Sequence, residues 1–271
     1  MKKYIFATIL VVILTQYRFM EAGIIPMSPM QMSLGQTGLG KQNAAMISAI
    51  NPALLSLVPG SSFSAGCQRL YNLAELDQIS IALSHDFGFA GLGIIYSNLG
   101  QADFWMDNSF TLAVSANLKK YIALGFKGEH ERVSFDERYG TLRKTSIALG
   151  FALSHEDFVV HIALSDLNRP RFSDRDRKTE TGYRIGLSLS SIPQIVVNLE
   201  TSGRKKGEQR YHFGQEVQLE RMIFIRFGLV TNPTLPCAGL GINLDKFHLD
   251  YALSSHNDLG ESHNLGISVN F

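Results

Sequence analysis

The chain has 271 residues, 45% hydrophobic and 18% charged, with 25 Lys and Arg against 24 Asp and Glu. That balance excludes a disordered polyelectrolyte, and a net charge of +1 excludes the basic surplus with which proteins hold nucleic acid. Two cysteines, Cys67 and Cys237, lie far apart and form neither a metal-ligand spacing nor a disulfide framework, so no metal or other cofactor is expected.

At the N-terminus Lys2 and Lys3 precede an apolar run from Tyr4 to Leu14, and Ala22-Gly23 offers a small-residue cleavage point. This is the layout of a cleaved secretory signal peptide, expected over residues 1–22. The run is short for a membrane anchor, and Thr15, Gln16 and Arg18 end it early.

Residues 30–59, MQMSLGQTGLGKQNAAMISAINPALLSLVP, do not alternate. Gly35, Gly38 and Gly40 make the first part turn-rich. The apolar spacing from Lys41 to Ile50 predicts a single helix, ended near Asn51 because a residue before proline is pushed out of the helical region. Pro52 then starts a second short turn over Ala53 to Leu57.

From Ser61 onward the pattern changes to strict alternation, clearest in TSIALGFALS at Thr145 to Ser154. Ile147, Leu149, Phe151 and Leu153 fall on one face of a strand, and Ala148, Gly150, Ala152 and Ser154 on the other. A soluble sheet normally sets charged groups on its outer face, whereas a membrane barrel sets bulky apolar groups outward and small or polar ones inward. About fourteen such segments follow, near residues 61–70, 75–86, 88–98, 109–119, 121–134, 142–154, 158–167, 182–191, 194–202, 210–219, 222–231, 237–244, 247–255 and 262–271. The expected fold is all-β, a transmembrane antiparallel β-barrel over residues 61–271 with a short helical plug or hatch in residues 23–60. A soluble periplasmic β protein is the alternative.

Every second junction is tight: Asp86-Phe87-Gly88, Lys119-Lys120-Tyr121, His155-Glu156-Asp157, Ile192-Pro193-Gln194, Glu220-Arg221-Met222 and Asp245-Lys246. The intervening ones, such as Gly100 to Asn108, Asn168 to Thr181, Gly203 to Gln209 and Ser255 to Glu261, read as longer and more polar. Periplasmic turns on one side and outer loops on the other are expected. Aromatics gather at both interfaces, Phe87, Tyr121, Phe158 and Phe247 at the turn end and Tyr96, Phe104, Trp105, Tyr139 and Tyr211 toward the loops.

A glycine-studded SLGQTGLG, some dozen residues ahead of NPALLSL and directly before barrel strands, resembles the N-terminal region of the FadL-like family. That family includes long-chain fatty-acid transporters and the PorV and PorQ-type outer-membrane proteins of type IX secretion. The resemblance implies a plug motif at Gly35, Gly38, Gly40, Asn51, Pro52 and Ala53. It also implies an outer-membrane location and a hydrophobic, fatty-acid-like ligand, or secretion-system subunits as partners. Outer-membrane lipid is an expected partner, and the terminal Phe271 resembles the signal that barrel-assembly machinery reads.

No phosphate loop, zinc spacing or nucleophile elbow is present, and the chain is not expected to be an enzyme. A lipase-like pairing of His155 or His161 with Ser154 or Ser165 is the nearest enzymatic arrangement. Charges costly against lipid point to a lumen lining: Lys119, Lys127, Glu200, Glu216, Arg226, Asn243 and Asp250, which either guide solute, hold the plug, or pair with one another. Two functions follow as expectations, transport of small hydrophobic molecules across the outer membrane, or a non-transporting scaffold for secreted cargo.

Overall fold

The computed structural model describes residues 25–40, 43–101, 105–119, 121–135, 140–173, 178–205 and 207–271. Fourteen antiparallel strands, each bonded to its sequence neighbours, form a closed barrel sealed between the first and last. They are β1 (Ser61–Arg69), β2 (Asp77–Asp86), β3 (Ala90–Gln101), β4 (Trp105–Lys119), β5 (Ile122–Phe135), β6 (Thr141–His155) and β7 (Phe158–Ser165). The second half is β8 (Gly182–Ile192), β9 (Ile195–Arg204), β10 (Arg210–Leu219), β11 (Ile223–Val230), β12 (Leu235–Leu244), β13 (Phe247–His256) and β14 (Gly260–Asn270). The expected signal peptide and residues 23 and 24 lie outside the described residues.

Alternation decides the faces. Ile79, Ile81 and Leu83 stand exposed on β2 while Ser80, Ala82 and Ser84 are buried; on β4 Phe110, Leu112 and Val114 are out and Thr111, Ala113 and Ser115 are in. Leu265 on β14 is 63% exposed. A belt of this kind runs round the whole wall, and in water each such side chain would forfeit roughly 1.5–3 kcal/mol of burial. The surface suits hydrocarbon, not water.

The hydrophobic core is inside the barrel, and residues 25–58 supply about half of its buried apolar side chains among the described residues. Leu39, Ile47, Ala53, Leu54 and Val58 pack with the wall residues Ala123 and Ala152, and Ala45, Met46 and Ala49 pack with Ala82 and Ile95. A short helix α1 (Pro29–Ser33) opens this segment, with Ser28 and Gln31 in a reciprocal capping box and Pro29 in its first turn. Two 3-10 turns follow, Ala45–Ala49 and Pro52–Leu57.

The single helix expected from Lys41 to Ile50 is not what its described residues form. Residues 41 and 42 lie outside the described residues, Ala44 is extended with φ −137° and ψ 173°, and only Ala45–Ala49 coil, as a 3-10 turn. Helical spacing of apolar residues signals one buried face, but this segment is enclosed on all sides, so its periodicity carries no such meaning. α1 went unread for the same reason. The turn over residues 53–57 is present and begins at Pro52.

The junctions also differ from expectation. β3 and β4 continue to pair as far as Gln101 and Trp105, so the presumed long loop from Gly100 to Asn108 is mostly strand. Outward Asn108, like Arg132 on β5 and Arg143 on β6, is polar, which hides the alternation where the wall rises clear of the apolar belt. Between β7 and β8 the described residues 166–173 and 178–181 form no strand or helix. The first of them extend β6 beyond the end of β7: Leu167 N–H donates to the Ile147 carbonyl at 3.0 Å and Asn168 Nδ2 to the Thr145 carbonyl at 2.7 Å.

Candidate solute passage

The inner segment is seated by two kinds of wall residue, glycines that let backbones touch and polar side chains that take up the segment's backbone groups. Inward positions on β10 and β11 are Gly214 and Gly228, and a Cβ on either would collide with Leu34 or Gly35. Gly35 itself has φ +67°, a conformation L side chains rarely adopt. Gly125 and Gly150, on β5 and β6, likewise lie directly under Asn51, Pro52 and Ala53. Gly38 and Gly40 face the carboxylates of Glu200 and Glu216.

Glu200 is the centre of the first polar group. It accepts from Gly38 N–H at 2.6 Å, from Arg184 Nη1 at 2.9 Å and from His161 Nε2 at 3.3 Å. Arg184 also donates to the Gln36 carbonyl at 2.9 Å, and His212 Nδ1 donates to the Gly35 carbonyl at 2.9 Å. Asn198 reaches Thr37 Oγ1 at 3.0 Å and the Leu39 carbonyl. On the other side of the lumen Lys127 Nζ donates to the Ala49 carbonyl at 2.7 Å. Buried charge is tolerable here because each ion has a counter-ion or a backbone partner.

Asn51 does the converse, reaching from the segment into the wall. Its Nδ2 donates to the carbonyls of Ile162 at 3.1 Å and Phe151 at 3.3 Å, while its Oδ1 caps the next turn by accepting from Ala53 N–H at 2.9 Å. Pro52 fixes the turn's start.

A second buried group joins Arg226 to Glu216 through Nε at 2.6 Å and to Asp250 through Nη1. Asn243 is inward on β12 and its Oδ1 has no partner. Lys119 stands apart from these: it is exposed at the turn end of β4, past a bulge at Asn117, and borders the mouth of the lumen. Composition placed it inward; the bulge breaks the alternation on which that placement rests.

Sequence reasoning overlooked Arg184, Asn198 and Arg204. Their signal was available, because a charged or amide residue in register with small inward neighbours, as Arg184 is between Gly182 and Gly186, must face the lumen. The histidines take structural posts. His155 stacks on Phe158 at the turn end, and among the described residues neither it nor His161 hydrogen-bonds a serine.

Three of the spaces that border the segment bear on a passage. At the loop end a cavity of about 120 Å³ lies over Ala49 and Ile50 and is walled by Lys127, Ala148 and Arg184 among others. A second, of about 280 Å³, is lined by Met27, Met32, Leu70 and Leu235 with Arg210 and His256 at its polar side. At the turn end a space of about 500 Å³ meets Ser56, Lys119, Ala123 and Ser154. Along β5 the order is Ala123 at the turn-end space, Gly125 under Ala53, then Lys127 at the loop-end cavity; along β6 it is Ser154, Gly150 under Asn51, then Ala148. Asn51 to Ala53 therefore stand between the two ends of this side of the lumen.

No family model and no curated protein sequence matches the chain. Solved structures do. The toluene transporter TbuX of Ralstonia pickettii superposes with a TM-score of 0.72 at 11% identity, covering 92% of this chain and 99% of its own. The Pseudomonas putida toluene transporter TodX gives 0.68 at 9% identity, with 93% and 99% covered. A Pseudomonas aeruginosa FadL homologue gives 0.60 at 8% identity, with 92% and 100% covered. The chain has the FadL-like barrel fold.

Proposed function

From the FadL-like fold, we propose that this chain is an outer-membrane barrel that passes small, largely apolar molecules, with residues 25–58 as the obstruction that must yield. The observation that carries this is the placement of Asn51 to Ala53 on Gly125 and Gly150 between a loop-end cavity and a turn-end space. The Met27, Met32, Leu70 and Leu235 lining of the second cavity gives an apolar solute a surface to rest on. TbuX and TodX, whose fold it shares, are described as toluene transporters, which supports the solute class. The lipid-facing belt and the export signal expected in residues 1–22 agree with that location.

The filled lumen is also compatible with a non-conducting scaffold, although none of the structures named above supports a part in type IX-like secretion. Planar-bilayer recordings separate the two. The intact protein is expected to be quiet, and a variant lacking residues 30–58 to open a steady pore; a variant that folds in the membrane and still does not conduct favours the scaffold.

A further inference from the structure

The loop-end cavity over Ala49 and Ile50 is lined by four cations and four carboxylates, but Arg184 spends its charge on Glu200 outside the lining, which leaves one lining carboxylate over. Lys127 lies 3.8 Å from Glu129, Lys144 2.6 Å from Glu131, Arg204 2.6 Å from Asp166 and Arg184 2.9 Å from Glu200. The cations are further engaged: Lys127 by the Ala49 carbonyl, Arg204 by the Glu180 carbonyl, Arg184 by the Gln36 carbonyl, and Lys144 over the Phe172 ring at 4.5 Å. Asp107 is left over. It lines the cavity, and its Oδ1 is closed off from solvent with no hydrogen-bond partner.

A second acceptor shares that state. Gln78 is 2% exposed, lines the same cavity, and its Oε1 has no partner. Register places the two together, because Gln78 on β2 pairs with Leu99 on β3 and Leu99 pairs with Asp107 on β4. They flank Leu99 in one row across three strands, two strand spacings or about 10 Å apart. A carboxylate can only accept, and an amide oxygen likewise, so what is missing from this row is a donor. Leu99, Ile25 and Ile50 add an apolar surface beside it.

We propose that this cavity is a binding site for a small organic amine, its ammonium group received by Asp107, its apolar body lying on Leu99, and any second polar group reaching Gln78. The site prefers cations, since an anion would meet Asp107 with every neighbouring cation already committed. A neutral hydrocarbon fits the floor and leaves Asp107 unanswered. The amine is the solute class of the passage only if the transport function above holds; binding is independent of it.

The test uses three probes of one shape, benzylamine, toluene and benzoate, titrated calorimetrically into the purified full-length protein in detergent. Benzylamine is expected to bind most tightly and benzoate not to bind. Asp107→Asn should weaken benzylamine by about tenfold or more, the usual worth of a charged hydrogen bond, and leave toluene unchanged. Asp107→Asn must keep the heat-dependent gel shift of a closed barrel, which guards against an effect of misfolding. Benzoate binding as well as benzylamine, or an unchanged benzylamine affinity in Asp107→Asn, overturns the site. Vesicle uptake of the same probes tells the two ideas apart: binding without uptake defeats transport and spares the site, while uptake of toluene without amine binding does the reverse.

Discussion

Gly228 on the wall and Gly35 in the inner segment meet backbone to backbone, and a single carbon added to Gly228 would run into the Gly35 amide. The contact has no flexible side chain that could give way. Gly228→Val is therefore expected to unseat the segment at a cost of about 3 kcal/mol, the upper end for overpacking. Gly128→Val is the control, since a Cβ there meets nothing within 4 Å. Limited proteolysis checks this: the first variant should expose the segment to cleavage in an otherwise closed barrel, and the second should not.

Asn51 gives a softer version of the same test. Asn51→Ala removes two donors to the carbonyls of Phe151 and Ile162 and the cap on Ala53, for a loss of roughly 1–3 kcal/mol. Asn51→Asp retains the cap but places a charge against those carbonyls, and should be the worse of the two. Single-channel recording is the measurement, with longer or more frequent openings expected in the order Asp, Ala, Asn.

Arg226 holds Glu216 and Asp250 together while almost wholly enclosed. Arg226→Met removes the cation that Glu216 and Asp250 share and should destabilise the barrel by about 3–5 kcal/mol. Adding Glu216→Gln and Asp250→Asn to that variant should recover most of the loss, because the uncompensated charge, rather than the missing contact, causes it. Unfolding by urea in vesicles reads both.

The outer face makes an opposite demand. Leu112, exposed at the middle of the β4 belt, should not tolerate Arg: Leu112→Arg is expected to cost about 2–4 kcal/mol of folding into a bilayer. In a soluble protein an exposed leucine changed to arginine would cost almost nothing, so the same unfolding measurement tests whether the belt faces lipid.

The wall was legible because period-2 alternation is a local property. Fourteen segments were visible, and the inward sets, such as Gly186 and Ser188 on β8, fell where the structure has them. The inner segment was not legible in the same way. Its conformation at Ala44 to Ala49 depends on Ser62 and Lys127, residues distant in sequence that satisfy its backbone, and a helix-like spacing of alanines says nothing of them. Lys119 stands at the turn-end mouth, where one bulge breaks the alternation of β4. Asp107 escaped notice because the stretch from Gly100 to Asn108 reads as a loop, whereas β4 begins at Trp105 and turns Asp107 inward, with its Oδ1 left without a partner.

The seam between β1 and β14 is tied to the inner segment from both sides. Ala45 N–H donates to Ser62 Oγ on the first strand at 3.2 Å, and the Asn43 carbonyl accepts from Asn270 Nδ2 on the last at 3.4 Å. Two nearby residues thus grip both edges of the sheet where it must join. Seating the segment therefore adds a hydrogen bond to each strand of the closing seam, and losing the segment would weaken that seam from both edges.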